Sequence, residues 1–449
     1  MIDMKKKLVL VMALMIVVLL CMLGVVFKVQ GVEASATIHI RADGSVDPAT
    51  ASISSVDNII YTFTDNISGH ILVERDNIVI DGEGYTLRVA SGCPVAYRNG
   101  VLLSGRRKVT IDNMQIEIAW YGIRVENCPD ITISGVTIIE SLHGILLSNC
   151  SNNKIIGNSV ISNYHNGIHL RCSSDNTIQG NRITDNGEEG IMLDLSSNNG
   201  ITENVIERDL DGIVLIESSC NRIIRNNITA NTDTGMWLYS SSENLVHHNN
   251  FIENLVQIYT FKSCNVWDDG FEGNYWSNYA GVDLVHDGIG NSLHFIDANN
   301  TDNYPLMGMF FIFNTSVGNC VNVISNSTIE DLQYFKSNST IKMHVSGEEG
   351  FVFCRVSIPH VLMNVNNVSV IIDDGLTPVL HSNYTLHDNG THRWIYFAYE
   401  HSIHEIDIVP EFPSFLILPL FMIATLLAVI VYRKKHNSQW NTDGSTVSG

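Results

Sequence analysis

Gly100-Val-Leu-Leu, Gly122-Ile-Arg-Val, Gly144-Ile-Leu-Leu, Gly167-Ile-His-Leu, Gly190-Ile-Met-Leu, Gly212-Ile-Val-Leu and Gly235-Met-Trp-Leu recur at intervals of 22, 22, 23, 23, 22 and 23 residues. A second phrase keeps the same period: Asn153-Lys-Ile-Ile-Gly-Asn158, Asn176-Thr-Ile-Gln-Gly-Asn181, Asn199-Gly-Ile-Thr-Glu-Asn204, Asn221-Arg-Ile-Ile-Arg-Asn226 and Asn244-Leu-Val-His-His-Asn249. A fixed period in this range marks a solenoid in which each repeat buries its apolar face on the next. Within each repeat the apolar residues stand two apart, the period of a strand rather than of a helix. Gly and Asn between the short runs reach bent and left-handed backbone at low cost. Leucine-rich repeats share the length, but their Leu-dominated consensus and helical segment are missing.

The repeat therefore predicts an all-β chain, a right-handed parallel β-helix of about eight coils. The first and third residues after each Gly should form two buried columns. One column is Ile123, Ile145, Ile168, Ile191, Ile213 and Met236; the other is Val125, Leu147, Leu170, Leu193, Leu215 and Leu238. The Asn column at 158, 181, 204, 226 and 249 reads as amides stacked at a bend and bonded along the stack. Coils should begin near Ile71, with Thr37–Gly69 capping the open end and an inserted loop around Ala90–Asn99. Phe261–Met307 should close the other end, because an uncapped stack exposes strand edges.

The rest of the chain reads in other ways. Lys5, Lys6 and Lys7 precede an apolar run to Phe27, and Ala34-Ser35-Ala36 resembles a cleavage site. Residues 1–36 are thus expected to be a signal peptide or a signal anchor. The β-helix with its caps is expected over 37–310. Alternating apolar residues between turn residues predict a small antiparallel β-sandwich over 311–408. A Pro-containing linker at 409–414 comes next. An apolar run at 415–432, ahead of Arg433, Lys434 and Lys435, predicts a C-terminal transmembrane helix with a cytoplasmic tail at 433–449. The remainder would stand on the extracellular side of the cell membrane. Sequons at Asn66, Asn149 and Asn227, and clustered at Asn299, Asn314, Asn326, Asn338, Asn367, Asn383 and Asn389, suit a glycoprotein.

The formal net charge of −21 argues against nucleic acid as a partner. It accords with cations or neutral glycans. On one side of the stack the repeat gathers Trp120, Tyr121, His143, His165, His169, Glu188, Asp233 and Trp237, aromatic rings and carboxylates of the kind that bind sugars. A solvated face of ordinary composition is the plainer alternative. Glu189 and Asp211 occupy equivalent positions on adjacent coils. Two carboxylates that close raise one another's pKa and could serve as an acid/base pair or take Ca²⁺; two hydrated surface carboxylates are the simpler reading. No cofactor is certain. Asp283, Asp287 and Asn291 echo a calcium loop, with Val285 where an oxygen ligand belongs. His143, His165, His169 and Met192 are the copper candidates, but they form no tight motif. Cys128 and Cys150, one coil apart, could form a disulfide or remain stacked thiols, and Cys320 and Cys354 could pair in the sandwich.

Gly273-Asn-Tyr-Trp-Ser-Asn278, Asp287-Gly-Ile-Gly290 and Asp302-Asn-Tyr-Pro-Leu306 resemble the closing segment of NosD-like parallel β-helix-repeat surface proteins, across most of residues 55–310. The C-terminal part, with Pro410-Glu-Phe-Pro413 and its apolar tail, is similar to anchored archaeal surface proteins. The resemblance implies the β-helix and a surface location. Members of the group include carbohydrate-binding proteins, sugar-cleaving enzymes and a periplasmic protein linked to copper-enzyme maturation. A surface protein binding polysaccharide or glycoprotein is the expected function, with a glycan-cleaving enzyme or a structural, adhesive envelope protein as alternatives. Leu193→Asp should abolish folding, since it sets an unpaired charge among apolar neighbours; soluble, folded variant protein by circular dichroism would refute the register.

Overall fold

A computed structural model describes residues 36–89, 98–347, 350–364, 367–373, 384–400, 403–411 and 425–432. The fold is an all-β parallel solenoid of about nine turns, followed by small antiparallel sheets. The chain divides into two compact units, Met1–Asn199 with Glu207–Glu217, and Gly200–Ile206 with Ser218–Gly449.

In the first unit each coil contributes three short strands. Tyr121–Glu126, His143–Ser148, Ile168–Arg171, Glu189–Asp194 and Asp211–Ile216 form one parallel face. Thr132–Ser134, Lys154–Ile156 and Thr177–Gln179 lie on a second, and Gln115–Glu117, Thr137–Ile139, Ser159–Ile161 and Arg182–Thr184 on a third. The register is the one the repeat implies. Ile123 pairs with Ile145, Ile145 with Ile168, Ile168 with Ile191 and Ile191 with Ile213, and the Val125–Leu215 column runs beside it. All these residues are buried, and each contributes about 1.5–3 kcal/mol by leaving water. The first rung lies earlier than expected. Ala36–Ile40 already pairs in parallel with Ile67–Val73, with Ile38 opposite Ile71. Most of the expected loop around Ala90–Asn99 lies outside the described residues, and strand Asn99–Ser104 comes directly after it.

Between strands the backbone turns through left-handed residues. Asn127, Asn149, Cys172, Leu195 and Glu217 hold φ between 47° and 54°. The next residue at each of these bends faces inward and bonds along the stack. Cys128 Sγ accepts from Arg106 N, Cys150 Sγ from Cys128 N, Ser173 Oγ from Cys150 N and Ser196 Oγ from Ser173 N, at 2.9–3.5 Å. Cys128 and Cys150 therefore remain thiols rather than a disulfide. Their sulfurs fill seats that serine fills elsewhere, and Cys150 donates onward to Ser148 O. Burial pushes the Cys150 thiol up to about 11. Cys172 misses the column because it is the bend residue, with Ser173 in the inward seat.

Asparagine does the same at other bends. Asn158 N and Nδ2 both donate to Asn181 Oδ1, at 2.9 and 3.0 Å. Asn153, Asn176 and Asn199 form a second such ladder. In a third, Asn163 donates to Asn186, and Asn186 N and Nδ2 donate to Asp209 Oδ1 at 2.7 and 2.9 Å.

The second unit repeats the pattern. Asn204 donates to Asn226, Asn226 to Asn249, and Asn249 to Asn274. The column ends there. Asp302 Oδ2 accepts from Asn274 N at 2.8 Å and from Trp276 Nε1 at 2.9 Å. Trp276 takes the last core seat, stacked on Phe251 at 4.5 Å. Asn250 then binds the backbone of Phe310 through both its amide atoms, at 2.7 and 2.9 Å, and so ties this end of the coils to the first antiparallel strand. Met309–Asn314, Cys320–Ser325, Phe351–Pro359, Tyr384–Asp388 and His392–Glu400 form one antiparallel sheet. Thr328–Phe335, Thr340–Ser346, Val368–Ile372 and His404–Pro410 form another. Both line a common core that includes Val323, Met343, Val356, Ile395 and Ile408. Cys320 and Cys354 are also free thiols. Cys354 faces Ser325 across the strand pair, whereas Cys320 faces Asn314.

Residues 425–432 are helical, and among the described residues no helix is long and apolar enough to cross a membrane. Residues 1–35, the second half of the 409–414 linker, 415–424 and the tail at 433–449 lie outside the described residues.

Two outcomes test the ladder and its closure. Burial pushes the Asp209 carboxyl up to about 7. Between its ordinary value of 3.8 and pH 7 the folded chain keeps a proton that the unfolded chain has released, so stability falls as pH rises across that window, by up to roughly 4 kcal/mol. Asp209→Asn should therefore raise Tm at pH 8 and do little at pH 4, by differential scanning calorimetry. A Cβ on Gly273 would stand 1.9 Å from Asp302 Oδ1, so Gly273→Ala should lower Tm by several degrees in thermal melts, whereas Gly200→Ala, with open space around it, should be tolerated.

Candidate functional site

Coil stacking builds a polar ladder on one face of the first unit. Tyr121 and His143 are register partners, and their rings stack at 4.8 Å. His143 stacks in turn on His165 at 4.9 Å. These separations are the spacing of adjacent strands, which lets flat rings lie parallel on successive coils. His165 Nδ1 stands 2.7 Å from Glu188 Oε1. Asn166 Nδ2 donates to Glu189 Oε2 at 2.5 Å and approaches Met192 Sδ at 3.4 Å. Arg124 lies over the Tyr121 ring at 5.4 Å.

Glu189 and Asp211 are register partners on adjacent coils. They are not the hydrated surface pair of the simpler reading. Glu189 is half-buried and Asp211 is only 5% exposed. Burial raises the Glu189 carboxyl, and the charges of Glu188 and Asp211 add to this. Burial lowers His143, and takes His169 down to about 4, so both rings are neutral at pH 7. The column between the two core columns is less open than its outward direction implies, since Leu146 and Val214 are buried. Aliphatic side chains there pack on their vertical neighbours instead of facing water. The accessible rim lies four positions earlier along the chain, one residue before Asn166 and Glu189. There His165 and Glu188 side chains are 38% and 42% exposed, and the neighbouring Tyr164 ring is 69% exposed. Sequence reasoning missed Tyr164, although an aromatic beside His165 at a bend was a usable signal. Trp120 is half-buried. In the second unit Asp233 is exposed and Trp237 half-buried, edge-on to Tyr259 at 6.1 Å.

The metal expectations fare differently. Asp283 accepts from Asp287 N and Gly288 N, Asp287 from Ile289 N, and Asn291 from Leu284 N. These oxygens accept N–H groups of their own loop. His143, His165, His169 and Met192 do not form a convergent donor set, because stacking places the His143 and His165 rings face to face. Among the described residues, the one group of three imidazole or acidic side chains spaced for a metal is His247, His248 and Asp269, whose ligand atoms lie within 4.8 Å of one another. The sequence showed His247 and His248 only as variable letters of the Asn244–Asn249 phrase.

In the second unit a cavity of about 840 Å³ opens beside this group. His248, Asp269 and Glu272 from the closing segment line it, together with Arg355, Trp394 and Tyr396 from the antiparallel sheet.

With this geometry in view, comparison with known proteins finds a NosD-like match over just under half of the chain. The family described as periplasmic copper-binding protein (NosD) matches residues 64–281. No curated protein sequence matches the chain. Among solved structures it is similar to the periplasmic alginate epimerase AlgG, at 18% identity and a TM-score of 0.37, over 48% of this chain and 68% of that one. It is also similar to pectate lyase Pel9A, at 16% identity and a TM-score of 0.33, over 56% and 73%. A third is the A-module of the Azotobacter vinelandii mannuronan C-5 epimerase AlgE4, at 12% identity and a TM-score of 0.31, over 49% and 76%. As to the copper of the family description, the two imidazoles and one carboxylate at His247, His248 and Asp269 fit a divalent ion. That group holds neither the thiolate nor the thioether that Cu(I) prefers.

Proposed function

We propose that this protein is a surface-anchored β-helix that binds polysaccharide or surface glycoprotein through the face carrying Tyr121, His143, Tyr164, His165 and Glu188. The observation that carries this reading is the run of stacked rings from Tyr121 to His165, ending in the His165–Glu188 pair with the exposed Tyr164 ring beside it. The open Tyr164 ring offers a stacking face to pyranose C–H groups, the edges of the stacked rings offer polar nitrogens and a hydroxyl, and the Glu188 carboxylate beside them accepts hydroxyl hydrogen bonds. The repeat sets such groups about 4.8 Å apart along the stack, so an extended chain can be gripped at several points. The N-terminal apolar run, the sequons and the apolar C-terminal run support an export route and a membrane anchor, with the β-helix on the extracellular side.

Glycan cleavage is the second reading. It is favoured by the Glu189–Asp211 register pair and by the raised Glu189 carboxyl. A carboxyl whose pKa is raised suits a general acid, and a neighbouring carboxylate suits a base or nucleophile.

A glycan array probed with the full chain should show a restricted set of bound polysaccharides. Tyr164→Ala combined with His165→Ala should weaken that binding about tenfold or more, equivalent to about 1.4 kcal/mol. Unchanged binding by the double variant would remove this face from the function. If the bound glycan also releases reducing ends, and Glu189→Gln abolishes the release without loss of binding, the enzymatic reading holds.

A further inference from the structure

The closing segment of the second unit carries side chains that neither the repeat nor the glycan-binding face uses. His247 and His248 are both buried, at 8% and 7% exposure. Their rings meet edge to face, and the two Nδ1 atoms are 3.0 Å apart. Two ring nitrogens at that separation are spaced as neighbouring ligands on one small cation, whose bonds to imidazole run about 2.0–2.1 Å.

The orientation of each donor is held from behind. His248 Nε2 lies 2.9 Å from Glu272 Oε2. Glu272 Oε1 is in turn bound by Arg355 Nη1 at 2.5 Å, both side chains being 13% exposed. A histidine whose far nitrogen donates to a carboxylate leaves its near nitrogen as the acceptor, and this is the usual outer arrangement around a metal-bound imidazole. The Phe310 ring stacks on His248 at 4.3 Å and restricts its rotation. Asp269 Oδ1 takes the N–H groups of Phe271 and Glu272 at 2.9 and 2.8 Å, while Oδ2 is turned toward His248, 4.0 Å from Nε2. His248 and Asp269 also line the cavity of about 840 Å³, which gives an ion a route in and leaves room for water or an oxygen-bearing ligand beside it. The positive charges acting on His247 are Arg222 and Arg225; Arg225 leans toward Glu203, 3.7 Å away.

We propose that His247, His248 and Asp269 bind one divalent cation of the zinc and copper class, with Glu272 as the positioning residue for His248. Imidazole nitrogen with one carboxylate oxygen selects these ions over Mg²⁺ and Ca²⁺, which want oxygen alone. In the metal-free chain one Nδ1 carries the N–H of this contact; on binding, that proton moves to Nε2 of the same ring and the cation takes its place between the rings. The proposal stands apart from the glycan-binding face, which lies in the first unit.

The test uses the full chain without a polyhistidine tag, stripped by chelator and titrated with Zn²⁺ by isothermal calorimetry. Co²⁺ and Cu²⁺ serve as spectroscopic probes. One tight site per chain is expected, with d–d absorption for Co²⁺ and nitrogen hyperfine splitting for Cu²⁺. His247→Gln should abolish the site. Asp269→Asn and Glu272→Gln should each weaken it about 10- to 100-fold. Ca²⁺ and Mg²⁺ should not compete. If His247→Gln fails to fold by circular dichroism, Asp269→Asn decides, because Asp269 is exposed. No tight site in the wild type, or a tight site unchanged in Asp269→Asn, would overturn the proposal.

Discussion

The structure rests on one recurring bond, in which a side-chain acceptor on one coil takes the backbone N–H at the bend of the coil before it. A stack of parallel strands pairs its own backbone along the strands and at the bend residue itself, as from Asn149 N to Arg171 O, but the N–H of the next, inward-facing residue finds its acceptor in a side chain, and it is buried. A buried unpaired N–H costs about 1–3 kcal/mol, and the penalty would recur at every corner. Asparagine removes it twice over, because Oδ1 accepts both the bend N–H and the amide N–H of its neighbour, as from Asn158 to Asn181 and from Asn226 to Asn249. Serine and cysteine do it with a single acceptor, as at Cys150 and Ser173. Asp209 fits the same seat but has lone pairs where asparagine has an NH₂ group, and its raised pKa reflects that mismatch in a buried place.

A ladder of this kind has to end. Asn274 is the last asparagine of its column, and Asp302 supplies the final acceptor for both the Asn274 N–H and the Trp276 indole. Gly273 is required because the Asp302 carboxylate occupies the space of a Cβ. The Gly273–Asn278 phrase is thus a stop signal in which Gly273, Asn274 and Trp276 each do a separate physical job. The same closure, through Asn250 and Phe310, sets Arg355 against Glu272 and so orients His248.

The two regions of chemical interest use the coil spacing in different ways. On the first unit's face, repetition brings like residues into register, so rings stack on rings and carboxylates approach carboxylates. At the closing segment, repetition has stopped. His247 and His248 are neighbours in the chain rather than between coils, and Asp269 and Glu272 reach them from the irregular segment after the last coil. Repetition suits an extended ligand gripped at many points, and the irregular end suits a single small one.

The amino-acid sequence by itself determined the period, the two apolar columns and the asparagine ladder, because each repeat must satisfy the same corner and the same core seat. Ile123 to Ile213 and Val125 to Leu215 were legible for that reason, as was the pairing of Glu189 with Asp211. Whether a residue pointing away from the core meets water was not legible: Leu146, Val214 and Asp211 are buried while Tyr164 is open, and packing on vertical neighbours decides this. Cys128 and Cys150 have the spacing of a disulfide, yet each sulfur serves as a hydrogen-bond seat that only the bend geometry defines. His247, His248, Asp269 and Glu272 come together only through the tertiary structure, since no period relates them and their convergence depends on how the closing segment folds back over the last coils.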